Sequence, residues 1–138
     1  MRVVYDTNVV VSGVLKPESI PATLVSLALA QRVRLCLPPP ILAEYTAVLH
    51  RPKFGFEAHS IAALLEDLAR TALLVRPAMR LTVAPDEADN RFLECALEAR
   101  ATFLVTWNLR HFPVATFEDI QILAPARFAY VLAERLRP

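Results

Sequence analysis

Apolar residues occur along this chain in short continuous runs and in longer stretches with helical spacing. The run Val3-Val4-Tyr5 predicts a buried strand that ends at Asp6. Similar runs predict strands at residues 33–37, 73–75, 103–106 and 120–123. Apolar stripes and helix-start signals predict helices at residues 22–31, 40–50, 57–72, 87–100 and 125–135, while residues 9–15 are apolar without a clear form.

Apolar strands that are separated by helices are typical of a mainly parallel sheet with helices on both faces. We therefore expect a three-layer α/β/α domain with a mainly parallel central sheet. The chain has 138 residues and shows no linker, internal repeat or low-complexity segment. A single domain spanning residues 1–138 is the prediction.

Composition bears more on location and partners than on chemistry. The chain is 55% hydrophobic with a mean hydropathy of +0.38, which predicts a well-filled core and an exposed apolar patch. We expect that patch to support a homodimer and a groove for a protein partner. Charged residues and prolines interrupt the apolar runs before the ~20 residues of a membrane span, and Asp6 and Asn8 disrupt any signal peptide. The expected location is cytoplasmic, with no membrane association.

Net charge and cysteines exclude little. The formal charge of +1 does not by itself indicate a nucleic-acid binder. Cys36 and Cys95 lie in apolar surroundings and have neither zinc-site spacing nor a disulfide framework. We expect both to be buried thiols.

Asp6-Thr7-Asn8 is the first candidate site. In open α/β sheets, ligands bind beyond the carboxyl ends of the strands, and this is where these residues are predicted to lie. Asp, Thr and Asn also favour helix caps and turns. The triplet therefore has two interpretations, a metal or phosphate site and a strand-to-helix turn.

Two further acids are predicted to point inward. In the helix at residues 87–100, Asp89 shares a face with Phe92 and Leu93, whereas Glu87, Glu94 and Glu98 fall on the opposite face, which we expect to be solvated. Asp89 is either a helix-capping acid or a carboxylate that holds a cation, and Asp86 can serve as the cap. Glu44 lies at the border of the apolar stripe of its own helix.

Topology brings these positions together. Asp6 and the segment Thr106-Trp107-Asn108 follow predicted strands, and Glu44 and Asp89 lie near helix N-termini. If the strands are parallel, all four positions lie at one rim of the sheet. Hard cations such as Mg²⁺ prefer oxygen ligands, and clustered carboxylates are costly unless a cation neutralises them.

With these motifs in order, the chain resembles the PIN-domain family of metal-dependent ribonucleases. The resemblance is closest to a branch related to VapC-like proteins, the toxins of toxin–antitoxin systems, and it covers essentially the whole chain. The four matching segments are Asp6-Thr7-Asn8, Ile41-Leu42-Ala43-Glu44-Tyr45, the segment from Asp86 to Ala96, and the segment from Leu104 to Phe112.

The resemblance implies an RNA endonuclease that depends on Mg²⁺ or Mn²⁺ and is paired with a cognate antitoxin protein. Asp6, Glu44 and Asp89 would be the catalytic acids and metal ligands, with Asn108 as a further metal ligand. The implied substrate-binding or accessory residues are Asn8, Asp86, Thr106 and Arg110. Arg110 and His111 are candidates for gripping RNA phosphate. The chain departs from the family pattern at Asn108, where many members have an acid, and at Trp107, where a small residue is common.

Other functions stay open on the sequence alone. A haloacid-dehalogenase-like phosphotransferase would use Asp6 as its nucleophile, but it needs an Asp where this chain has Asn8. A response-regulator receiver needs paired acids after its first strand. The third alternative is a catalytically degenerate PIN-like module that binds protein or RNA, which Asn108 favours.

Overall fold

The structure is a computed structural model, and it describes residues 1–112 and 114–136. Its strands are β1 (Arg2–Tyr5), β2 (Arg34–Leu37), β3 (Leu73–Leu74), β4 (Phe103–Val105), β5 (Thr116–Phe117) and β6 (Ile120–Leu123). They form one sheet in the order β3-β2-β1-β4-β6-β5. All neighbouring pairs are parallel except β5 and β6.

Helices connect the parallel strands. They are α1 (Thr7–Leu15), α2 (Ile20–Leu29), α3 (Pro39–Leu49), α4 (Ala58–Thr71), α5 (Glu87–Ala99) and α6 (Pro125–Arg135), with short 3₁₀ turns at Pro52–Phe54 and Leu109–His111. Helix α5 packs on β1, β2 and β4, while α1 packs against α2 and α3. The predicted three-layer α/β/α fold with a mainly parallel sheet is confirmed. Across the part of the chain that is described, no helix is long and apolar enough to cross a membrane.

The central strands explain the continuous apolar runs of the sequence. The last three residues of β1 and all three of β4 are completely buried, because helices cover both faces of the sheet at these strands. Cys36 and Cys95 are free and buried, as predicted. Residues 113, 137 and 138, which the single-domain prediction includes, lie outside the described residues.

The sequence pattern did not predict two elements, the helix α1 and the strand β5. The apolar segment after Asp6 forms α1, in which Gly13 lets the helix approach the start of α2. A Cβ at Gly13 would lie 3.0 Å from the carbonyl oxygen of Pro21, which explains a glycine inside a helix. The antiparallel strand β5 has only two residues, too few to show a period.

The predicted solvated face of α5 is wrong at Glu94. Glu94 is only 4% exposed because the segment between β3 and α5 folds over this part of the helix. Glu94 accepts a hydrogen bond from the backbone N–H of Leu81 at 2.8 Å. It also forms an ion pair with Arg91, with nitrogen and oxygen 2.7 Å apart. Glu87 and Glu98 are exposed, as predicted.

Candidate functional site

Asp6 is held at the carboxyl ends of the two central strands. Its backbone N–H donates to the carbonyl oxygen of Val105 at 2.9 Å, which extends the pairing of β1 with β4. Its buried carboxylate accepts a hydrogen bond from Thr106 Oγ1 at 2.7 Å. Asp6 precedes α1 at the N-cap position but makes no side-chain capping bond there. The hydroxyl of Thr106, which directly follows β4, therefore helps to hold this carboxylate in place.

Asp89 lies in the first turn of α5, but Asp86 and not Asp89 caps this helix. The Asp86 carboxylate accepts from the backbone N–H of Ala88 at 3.0 Å and so caps the helix. Asp89 is 7% exposed, and its Oδ2 atom is buried without a hydrogen-bond partner among the described residues. His111 Nδ1 lies 3.2 Å from that atom, close enough for an ion pair but without hydrogen-bond geometry.

Glu44 comes from a third element, helix α3. Pro39 and Pro40 occupy the first turn of this helix, where a missing N–H costs nothing. Glu44 follows in the next turn and is half-buried. Its carboxylate accepts a hydrogen bond from the Thr7 hydroxyl at the start of α1. Thr7 therefore orients Glu44 as Thr106 orients Asp6.

These side chains line one open cleft of about 370 Å³. Six of the eight predicted site residues line it: Asp6, Asn8, Glu44, Asp86, Asp89 and Asn108. Thr106 is fully buried behind Asp6. Arg110 is exposed on the turn Leu109–His111 and is not among the lining residues.

A larger cavity of about 490 Å³ lies beside Pro38-Pro39-Pro40 and the segment 76–80. Its one lining carboxylate is Glu94, which is occupied by Arg91 and by the backbone N–H of Leu81. The smaller cleft holds carboxylates from three elements, so we take it as the candidate site.

A model of the PIN domain matches residues 2–110, which include the first three sequence motifs and most of the fourth. The chain belongs to the PIN domain family. PIN domains are generally nucleases, and they typically use divalent metal ions. An uncharacterized protein of Methanocaldococcus jannaschii is 29% identical over 108 residues, which cover 75% of this chain and 69% of that relative.

The carboxylates in the cleft of this PIN domain are poorly solvated and repel one another. Burial raises the pKa of Asp6, an effect that the hydrogen bond from Thr106 partly offsets. Burial, with further contributions from Asp6 and Asp86, raises the pKa of Asp89 to about 6, although His111 acts in the opposite direction. A cation between Asp6 and Asp89 would relieve this repulsion.

The donor set fits a hard divalent cation. It consists of carboxylate oxygens and one amide oxygen, the ligands that Mg²⁺ and Mn²⁺ prefer. Among the described residues, Asp89 Oδ2 is also a buried oxygen without a hydrogen-bond partner, a type of atom that rarely stays unsatisfied in proteins. Among residues 1–112 and 114–136, however, no group of three or more His, Cys, Asp or Glu side chains stands close enough to form a ready-made cluster. Asp6 and Asp89 are therefore the pair of side chains that best fits a cation.

Three features of the cleft had no clear signal in the sequence. Thr7 binds Glu44, although residues of this type also favour turns. His111, a candidate for gripping RNA phosphate, lies beside Asp89. Phe54 lines the cleft from the turn after α3. Each position depends on contacts between segments far apart in sequence, which periodicity does not predict.

Proposed function

We propose that this PIN domain is a metal-dependent endoribonuclease that hydrolyses RNA phosphodiesters in the acidic cleft. The observation that carries the proposal is the convergence of Asp6, Glu44 and Asp89 on one open cleft. These acids come from different elements, and the buried Oδ2 of Asp89 has no hydrogen-bond partner in the described structure.

In this mechanism, Asp6 and Asp89 would hold Mg²⁺ or Mn²⁺ directly. Glu44 would bind the ion directly or through water, and Asn108 would contribute its amide oxygen. When bound, the ion supplies Lewis-acid activation of water and positive charge next to the phosphodiester. Asn108 contributes no charge, so the centre depends on its carboxylates.

The remaining residues position these ligands or the RNA. Thr106 holds Asp6 through its hydroxyl, which also accepts a hydrogen bond from the backbone N–H of Asn108 at 3.0 Å. Asn8 and Asp86 lie at the cleft wall and can orient water or sugar hydroxyls. Arg110, which is exposed beside the cleft, would contact a phosphate farther along the RNA.

RNA cleavage in the presence of Mn²⁺ tests the proposal. We expect Asp6→Asn and Asp89→Asn each to reduce the cleavage rate by at least about 100-fold, since loss even of groups that only orient a ligand costs about 10- to 100-fold. Asp119→Asn is the matched control, because Asp119 precedes β6 and so lies at the amino ends of the parallel strands, away from the cleft. Undiminished cleavage by either cleft variant would disprove the centre.

We further propose that the nuclease is the toxin of a toxin–antitoxin pair and acts as a homodimer. The support is the likeness of its motifs to VapC-like proteins and the exposure of large apolar side chains such as Leu74 and Tyr130. Production of the wild-type chain should arrest growth, and Asp6→Asn should not. The product of a neighbouring gene should relieve the arrest by binding the chain.

A catalytically degenerate binding module is the second candidate function. Asn108 favours it, as does the lack of a ready-made cluster of three acids in the described part of the chain. Calorimetry with Mn²⁺ separates the two candidates. Binding that Asp6→Asn abolishes supports the nuclease, whereas equal binding by both proteins, or none, supports the module.

A further inference from the structure

Trp107 is an exposed aromatic residue in a fixed orientation at the rim of the cleft. It follows β4 by two residues, and 49% of its side chain is accessible to solvent. Its indole N–H donates to Ser12 Oγ at 3.0 Å. Its backbone N–H donates to Asn8 Oδ1 at 3.4 Å. The ring is thus held by α1 on one side and open to solvent on the other.

The open side of Trp107 belongs to a groove of about 300 Å³. Leu15 and Ile20 also line it, and they are 48% and 44% exposed. This volume is at the lower end of the ~300–1,000 Å³ of small-ligand sites. Apolar side chains that cluster on the surface beside a cleft indicate a contact surface and not a part of the core.

The groove lies next to the acidic cleft. Ser12 lines both spaces, and Asn8, which accepts the backbone N–H of Trp107, lines the cleft. Lys16 lines the groove as well, so a positive charge lies beside its apolar surface. A polyanion that enters the cleft would therefore meet an aromatic face and an ammonium group next to it.

We propose that this groove is a nucleobase subsite, in which a base of single-stranded RNA stacks on Trp107 while Lys16 contacts a neighbouring phosphate. The proposal rests on the proposed function for the identity of the substrate. The Trp107 ring is already held in place, so it loses little conformational freedom when a base stacks on it. A base inside a duplex offers no free face, so the substrate class is single-stranded RNA.

Intrinsic fluorescence reports directly on this contact, because Trp107 is the only tryptophan of the chain. The wild-type protein is titrated with short oligouridylate and oligoadenylate in EDTA, where binding is measured without cleavage. We expect saturable quenching by both single strands. A duplex of the same length should quench much less.

Affinity measured by fluorescence anisotropy of labelled RNA then separates stacking from a general effect on the fold. Trp107→Ala should weaken single-strand binding by about 5- to 100-fold, the range expected for loss of one stacked base. Trp107→Phe keeps an aromatic face and should recover most of the affinity. Leu136→Ala removes an exposed apolar side chain that lines neither space and should bind as the wild type does.

Three results would overturn the subsite. The first is RNA binding without quenching, and the second is equal loss of single-strand and duplex binding in Trp107→Ala. The third is a blue shift of Trp107 emission that depends on protein concentration and prevents quenching by RNA, because a second copy would then cover the groove. The wild-type titration gives an answer even if Trp107→Ala fails to fold. Quenching in a protein that cleaves no RNA would support the subsite and refute the proposed nuclease. Cleavage without quenching would support the nuclease and refute the subsite.

Discussion

Asp6 and Asp89 determine the electrostatics of the cleft at the scale of single residues. Both are more than nine-tenths buried, and each has neighbours that carry the same charge. The helical period predicted that Asp89 faces inward, either as a helix cap or as a carboxylate that holds a cation. Asp86 caps the helix, so Asp89 is not needed for capping. The same period wrongly predicted that Glu94 is exposed to solvent. The segment that covers Glu94 is not helical, so its position could not be predicted from a helical period.

The raised pKa of Asp89 makes stability depend on pH. In the folded chain this pKa is about 6, above its ordinary value of 3.8, so between these values the folded state binds more protons than the unfolded state. Stability from this group therefore falls as pH rises through that window. In EDTA, Asp89→Asn should melt at a higher temperature than the wild type above about pH 7, and the difference should shrink towards about pH 4.

Thermal unfolding across this pH range is the measurement, with Asp119→Asn as the control for loss of a carboxylate outside the cleft. A constant difference in melting temperature between Asp89→Asn and the wild type at every pH would show that the Asp89 carboxylate is not the source of the pH-dependent loss of stability.

At the scale of elements, α5 holds the segment that leads into the site. Three of its side chains, four residues apart, bind backbone groups of that segment. Asn90 bonds both the N–H and the carbonyl oxygen of Ala84, at 2.8 and 3.1 Å. Glu94 accepts from the N–H of Leu81 at 2.8 Å, and Glu98 from that of Ala78 at 3.1 Å. This face of α5 therefore fixes the chain just before Asp86 and Asp89.

Glu94 and Glu98 form a matched pair for testing this role. Glu94→Ala should lower the free energy of unfolding by about 1–3 kcal/mol, because it removes the acceptor of the part-buried Leu81 N–H and the more buried of the two acids that pair with Arg91. Glu98→Ala removes a similar but exposed contact and should cost less than about 1 kcal/mol. Urea unfolding measures both values, and equal costs would contradict the importance of burial at Glu94.

The strands and most helices could be predicted because burial and period are local signals. The observed bounds of α3, α4 and α5 lie within one residue of the predicted ones at each end. The sequence gives no clear helical stripe for α1, because Val9 to Val11 are consecutive β-branched residues and Gly13 interrupts the pattern, and β5 is too short to show alternation. The hydrogen bonds from Thr7 to Glu44 and from Trp107 to Ser12 join distant segments, so no local pattern indicates them.

For the whole molecule, parallel strands explain why distant motifs meet. The carboxyl ends of β1 and β4 lie side by side, and the starts of α3 and α5 bring further acids to the same edge. The order of elements was therefore sufficient to predict that Asp6, Glu44 and Asp89 lie near one another. Their ligand geometry depends on side-chain contacts, which element order does not determine.

The proposed homodimer is also a property of the whole molecule. Leu74 and Tyr130, two large apolar side chains outside the groove, are at least half exposed, and association would remove them from water. Light scattering should give a mass near twice the 15.4 kDa of one chain. A strict monomer at high concentration would contradict the dimer without affecting the cleft.

Anomalous scattering from crystals soaked in Mn²⁺ tests the metal centre most directly. We expect a peak in contact with the carboxylate oxygens of Asp6 and Asp89, which should persist in Asp119→Asn and disappear in Asp6→Asn. A cleft without a peak, or a peak unchanged in Asp6→Asn, would contradict the assignment of this cleft as the metal centre of a nuclease.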